Sequence, residues 1–404
     1  MKWGKVKVGD CCEVTSSKRI FFSEYVDSGV PFYRSKEIIE SSNGQAISEP
    51  LFISQEKYDE IKNHFGVPQS GDMLLTSVGT IGVPYIVREK DYFYFKDGNL
   101  TWFRNFSDEL DSKYLYFWVK SSEGQSVLNN TTIGSSQKAL TIASLKGLEI
   151  PCPPAPVQKR IVEFLAGYDD LIENNQKQIK LLEEAAQRLY KEWFVDLRFP
   201  GYETTPIVDG IPEGWEACKF SEIASIMSGG TPKTEVKEYY EGDIPFYTPK
   251  DSDGSFFVFD TITHISEAGL EHCNSQYYPE GTVIITARGT VGKTTILAVP
   301  MAMNQSCYAL KCDELNSPYY LFFSLNKEVD SLKTMANGGV FNTIIVKTFD
   351  SISLIIPTQK VLSAFNAVVS SIMQQIKAKM KQNIHLAEAR DRLLPKLMSG
   401  ELEV

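Results

Sequence analysis

The sequence contains no run approaching the roughly 18 apolar residues that a membrane helix requires, and its opening stretch, MKWGKVKVGDCC, lacks the apolar core of a signal peptide. A cytoplasmic protein with no membrane partner is expected. Histidine is scarce: His64, His264, His272 and His385 are the only four, none at metal-ligand spacing, and the seven cysteines include no CxxC pair. No metal site is expected from that inventory, and the cysteines read as reduced core thiols. Positive charge is short as well, with 41 Lys and Arg against 51 Asp and Glu. The net charge of −10 argues against a chain that holds nucleic acid by bulk attraction, so any such contact must be local.

Catalytic motifs are missing too. GTVGKTT at 289–295 invites a phosphate-loop reading, but the pattern needs a glycine five positions before Gly292, where Ala287 stands. Asn316-Ser-Pro-Tyr319 resembles a base-holding motif of amino-methyltransferases, yet no glycine-rich cofactor loop accompanies it and a helix cap explains it. Glu60-Ile-Lys62 and Glu235-Val-Lys237 lack the acidic partner that a nuclease site requires. No catalytic residue and no cofactor in this chain are expected.

What the sequence does have is one very long apolar periodicity. Between Pro156 and Val195 the alternating spacing of four and three that a packed helix seam needs picks out Ile161, Leu165, Tyr168, Ile172, Asn175, Ile179, Leu182, Ala186, Leu189 and Trp193. At 1.5 Å per residue such a helix runs about 58 Å, too long for one domain, and it needs a partner. The stretch from Gln359 to about Leu394 qualifies, with Phe365, Val369, Ile372, Ile376, Leu386, Leu393 and Leu397 in matching phase. Asn175 would face Lys379 and Asn383 near the middle of the seam and fix its alignment.

The second half of the chain replays the first. GDMLLTSVGTIG at 71–82 returns as GTVIITARGTVG at 281–292, Val30-Pro-Phe-Tyr33 as Ile244-Pro-Phe-Tyr247, Tyr114-Leu-Tyr-Phe117 as Tyr320-Leu-Phe-Phe323, and Pro156-Val-Gln-Lys159 as Pro357-Thr-Gln-Lys360. Residues 1–155 therefore read as a β-rich domain containing one helix capped by Asp111 and Ser112, followed by a central helix over 156–195 and a linker over 196–211. A second domain over 212–356 and a terminal helix over 357–404 complete the α+β architecture. Two mixed, β-rich domains are each followed by a long helix, and the helices are expected to pack as an antiparallel coiled coil with pseudo-two-fold symmetry.

Polar, glycine-rich loops remain as candidates for DNA contact. In the first domain they carry Lys18, Arg19, Arg34, Lys36, Ser135, Gln137 and Lys138; in the second, Lys233, Lys250, Arg288, Lys293 and Asn342. Each taken alone suits solvated surface; together, on a duplicated scaffold, they suit reading base edges at two places.

Gly229-Gly-Thr-Pro232, Ile244-Pro-Phe-Tyr247 with Pro249 and Asp251, Ala302-Met-Asn-Gln305, the Pro-x-Gln helix starts and Lys191-Glu-Trp-Phe-Val-Asp-Leu-Arg-Phe-Pro-Gly201 together resemble the specificity (S) subunits of type I restriction-modification systems. The resemblance covers the whole chain. It implies two target-recognition domains, each reading half of a split site in double-stranded DNA, with the helices as spacer. It further implies two modification (M) subunits carrying S-adenosylmethionine and two restriction (R) subunits carrying ATP and Mg. The first domain departs from the pattern at Thr15-Ser-Ser-Lys-Arg-Ile, where the second has Met227-Ser-Gly-Gly-Thr-Pro. Rival readings are a coiled-coil scaffold and a stand-alone DNA-modifying enzyme.

Overall fold

The computed structural model describes residues 3–45, 47–132, 138–312, 317–335 and 343–403, without the side chains of 330–335. Met73–Thr76 and Val283–Thr286, the central strands of the repeat, are buried along their whole length because alternate side chains enter separate cores: Met73 and Leu75 one and Leu74 another, Val283 and Ile285 one and Ile284 another. In the unit formed by Met1–Gln176 with Gln382–Val404, Met73–Thr76 lies between Leu100–Arg104 and Pro84–Ile86, and Glu13–Thr15 completes an antiparallel sheet of four. In the unit Lys177–Lys381 the same order recurs as Ser225–Ser228, Cys307–Lys311, Val283–Thr286 and Thr294–Leu297, with Phe257–Val258 added in parallel at the far edge.

A smaller sheet is repeated as well. Val30–Tyr33 runs parallel to Tyr94–Phe95 and antiparallel to Leu51–Ile53; Ile244–Tyr247 runs parallel to Ala302–Met303 and antiparallel to His264–Ile265. A third strand pair ties each domain's beginning to the approach of its helix: Lys5–Lys7 with Glu149–Pro151, and Glu216–Lys219 with Ser353–Ile356. Above those pairs the repeated tyrosines do equivalent work, Tyr114 donating to the Pro151 carbonyl and Tyr320 to that of Ile355.

The long helices span Ala155–Tyr190 and Gln359–Ser399. The first begins one residue earlier than expected, leaving Pro156 within the first turn where its missing N–H costs nothing. It closes in a π-helical turn over Lys191–Val195, and the second runs on through Pro395. The boundary between the compact units falls inside both helices, at Gln176/Lys177 and Lys381/Gln382, so the helices are not spacer bodies separate from the domains but are shared out between them. In the first unit their segments run antiparallel: Asp169 pairs with Arg390, and farther along Asn175 donates to Asn383 Oδ1 at 2.9 Å and Gln382 Oε1 at 3.1 Å. Asn383 meets Asn175 as expected, while Gln382 takes the second place that spacing gave to Lys379. In the second unit Trp193 and Phe194 pack their rings on Phe365.

Ile161, Leu165, Phe365, Val369 and Ile376 are buried; Tyr168, Ile172, Ile179, Leu182, Leu189 and Leu386 are half-buried. Ile372 and Leu393 are also half-buried, because the adjacent Met373 and Leu394 turn fully inward. The first domain holds more than one helix: Ser35–Ser42, Gln55–His64, Ser122–Thr131 and the short Ile142–Lys146 accompany the expected Ser112–Lys120, which Asp111 caps through the Lys113 and Tyr114 N–H groups. The linker carries a small hairpin, Ile207–Val208 with Ile211–Pro212, and buries Phe199 against Trp215.

Candidate nucleic-acid interface

The strand directions bring the candidate loops of each unit to one edge of its sheets. In the second unit Ser228, Thr286 and Tyr247 end their strands there, while Cys307 and Thr294 begin theirs. The glycine turn between Val283–Thr286 and Thr294–Leu297 has its twin between Met73–Thr76 and Pro84–Ile86. Gly79 and Gly289 both have φ of 80°, a conformation only glycine enters freely. Gly82 N–H donates to Thr76 O, and Gly292 N–H to Thr286 O, each at 2.8 Å; the Thr76 and Thr286 hydroxyls accept from Val83 N at 2.9 Å and Lys293 N at 3.0 Å. The GTVGKTT segment is thus a hairpin turn of the duplicated sheet, with the Lys293 side chain exposed.

Around the second turn the neighbouring loops interlock. Thr290 donates to the Pro249 carbonyl at 3.3 Å, placing Arg288 near the turn Pro249–Asp251 that carries Lys250. Thr248 caps that turn, its hydroxyl and N–H both donating to Asp251 at 2.8 Å. Thr231 bonds to Gln305, and Gly229 lies so close to the Asn304 carbonyl that an added Cβ would sit 2.2 Å from it; glycine is required there by space. Lys233, Lys250, Arg288 and Lys293 are all exposed, and none has a carboxylate within ion-pair distance among the described residues.

The first unit's edge is differently disposed. Arg19 reaches Asp97 at 2.8 Å, and Lys36 reaches Glu49 at 3.0 Å. Arg34 forks onto Glu37, whose side chain is fully buried and also accepts the Arg34 backbone N–H at 2.6 Å; the guanidinium's own hydrogen bond to that carboxylate holds it charged even more firmly than usual. Lys18 lies over the Phe65 ring at 4.9 Å. Lys138 is exposed beside Ala139, which bridges to Val78 at the start of the glycine turn. Leu140 N–H there bonds Ser77 O at 2.9 Å, as Ile344 N–H bonds Ala287 O at 2.9 Å in the second unit. Ser135, Gln137 and Asn342 lie outside the described residues, as does Asn316.

Two features escaped the sequence reading. Phe21 and Phe22 are 62% and 87% exposed, and they line a cleft of about 560 Å3 with Arg19, Arg34, Lys96 and Asp97. The only signal was two adjacent aromatic residues following Lys18-Arg19-Ile20 in a stretch without periodicity. Gln158, conspicuous only as part of a Pro-x-Gln start, is fully buried: its amide donates to the Glu109 and Pro153 carbonyls at 2.8 Å and accepts from Asp111 N at 2.9 Å. Its repeat partner Gln359 faces solvent.

Among the described residues no group of three His, Cys, Asp or Glu side chains could hold a metal, and no helix is long and apolar enough to cross a membrane. A profile of the type I restriction modification DNA specificity domain matches residues 1–184 and again 212–383, once per repeat. The chain is 29% identical over 427 residues to the specificity subunit of the type I restriction enzyme MjaIX of Methanocaldococcus jannaschii, covering 100% of this chain and 94% of the relative. The specificity subunit of HindI from Haemophilus influenzae is 25% identical over 325 residues, covering 65% of this chain and 71% of that one. Among solved structures, the S subunit from M. genitalium's type I restriction-modification system shares the fold, with a TM-score of 0.59 and 16% identity over 98% of this chain and 96% of its own.

Proposed function

The chain belongs to the type I restriction-modification DNA specificity family, and on that premise we propose that each of its two units reads one half of a split site in double-stranded DNA. The observation that carries this reading is the duplicated edge. Matching glycine turns and strand ends hold loops whose side chains differ: Arg288, Lys250 and Lys293 of the second unit meet no carboxylate among the described residues, while Arg19, Arg34 and Lys36 of the first are paired. A bare scaffold has no use for that pattern: a fixed frame with divergent polar loops is what two different base sequences require.

In this reading the chain does no chemistry. Two M subunits supply S-adenosylmethionine-dependent methylation, two R subunits supply ATP- and Mg-dependent work, and the repeat offers two like surfaces for paired partners. The net charge of −10 fits a division in which partners supply most phosphate contacts and this chain supplies base discrimination. Methylome sequencing of cells carrying the chain with and without its M partner tests the proposal. Methylation at one bipartite motif, present only with both, is expected; methylation by the chain alone, or by the pair at no defined motif, refutes it.

A further inference from the structure

The first unit's cations are largely committed to its own carboxylates, yet at the same edge it displays the most exposed large apolar side chain among the described residues, Phe22 at 87%. That display is held in place. Phe22 opens a 3-10 turn, Phe22–Glu24, whose Glu24 carboxylate accepts the Phe21 N–H at 2.8 Å and pairs with Lys57 of the helix Gln55–His64 at 3.1 Å. The Phe22 ring sits edge-on to Tyr25, 5.5 Å between centroids, and Tyr25 in turn packs on the buried Phe32 at 5.2 Å. Two adjacent phenyl rings held out together, one of them braced by Tyr25 and the turn beneath it fixed by an ion pair, contribute little burial to the isolated unit.

The cleft beside it favours nucleic acid over a protein surface as its occupant. Its charged lining is Arg19, Arg34, Lys96 and Asp97; Arg19 is matched by Asp97 and Arg34 by Glu37 behind the wall, so Lys96 is the lining cation that meets no carboxylate among the described residues. Arg34 is held by Glu37 and Arg19 by Asp97, so neither is placed to fork onto guanine; Lys96 is left for a phosphate and the ring for a base. We infer that Phe22 makes an apolar contact to a base in the half-site read by the first unit, resting on the thymine methyl in the major groove or wedging into a base step. The inference rests on the two-reader function above. It makes the units unlike in method: the second reads with unpaired cations, the first with an aromatic side chain.

The test uses the full chain assembled with its M partner, comparing Phe22→Ala and Phe22→Leu with the parent on cognate duplexes and on duplexes altered singly through each half. Phe22→Ala should lose about ten- to a hundredfold discrimination at one position of one half-site and leave the other half unchanged. Phe22→Leu should keep part of it. A thymine-to-uracil duplex reproducing the loss assigns the contact to the methyl; 2-aminopurine fluorescence that rises with the parent and not with the alanine variant assigns it to a wedge. Unchanged discrimination with Phe22→Ala overturns the inference, as does a variant that fails to retain the M subunit on size exclusion, which would make Phe22 a protein contact. A parent complex with no bipartite motif overturns the two-reader function itself; a bipartite motif indifferent to Phe22 overturns this inference alone.

Discussion

At the scale of single residues, charge pairing separates side chains that build the first unit from those left free to read. Arg104 stacks over Trp102 at 4.3 Å and forks onto Glu13 at 2.8 and 2.9 Å, with Asn105 adding a bond at 2.9 Å. The Arg104 hydrogen bond, foremost, holds the Glu13 carboxyl below its ordinary range. A carboxyl whose folded pKa is depressed stabilises the fold above its unfolded pKa and loses that contribution as pH falls through the folded value. Glu13 is part-exposed, so the contribution is about 0.5–1 kcal/mol after screening. Urea midpoints should therefore show Glu13→Gln below the parent at pH 7, with the gap closing below about pH 4. A gap independent of pH would mean packing, not charge, is what the substitution removes. Arg34 follows the same logic with a different outcome. Arg34→Ala strands the buried Glu37 and should cost about 2 kcal/mol of stability, whereas Arg288→Ala should leave the melting temperature alone and relax the second half-site at a guanine. Reversed effects in calorimetry and motif sequencing would exchange the two roles.

At the scale of elements, the seam shows what periodicity can and cannot specify. Asn175 is 6% exposed and spends its amide on Asn383 and Gln382, of which Gln382 is exposed and Asn383 half-buried. Those two can turn to water, so Asn175→Leu should raise the melting temperature modestly, by about 1 kcal/mol of stability, while weakening the alignment of the two helices. A lower melting temperature would show that the amide contacts stabilise more than they align. The repeat was legible because its glycine turns demand φ near 80° wherever they occur and its central strands are unbroken apolar runs. The choice of Met373 over Ile372 and of Leu394 over Leu393 was not, since two adjacent apolar residues satisfy the same spacing and only tertiary packing selects between them. The short helices Ser35–Ser42 and Gln55–His64 were missed because eight to ten residues give barely two turns of period, and an arginine caps the first by backbone and ion pair. The reading edge is legible only as a collection of polar loops: which cations are paired depends on carboxylates such as Glu37 and Asp97, and only the latter belongs to the loops that frame the cleft.

At the scale of the whole molecule, both crossings between units run through helix, at Gln176/Lys177 and Lys381/Gln382. That makes the length of the helices the variable that sets half-site spacing in the two-reader function. Adding residues to one helix alone would leave the two helices unequal between the units and put their seam out of register, so the informative change adds one heptad to each, after Gln176 and after Lys381, which preserves the alternation of four and three. Seven residues add about 10.5 Å along a helix, close to three base pairs at about 3.4 Å rise. The methylated motif should then keep both halves and gain about three base pairs of spacer. Substitutions confined to one unit's edge should change one half and leave the spacer alone, because sites on separate compact units that share no partner act independently. A heptad pair that rewrote bases in either half, or a first-unit substitution that altered both halves, would mean that the two units do not read separately and that the helices do more than set distance.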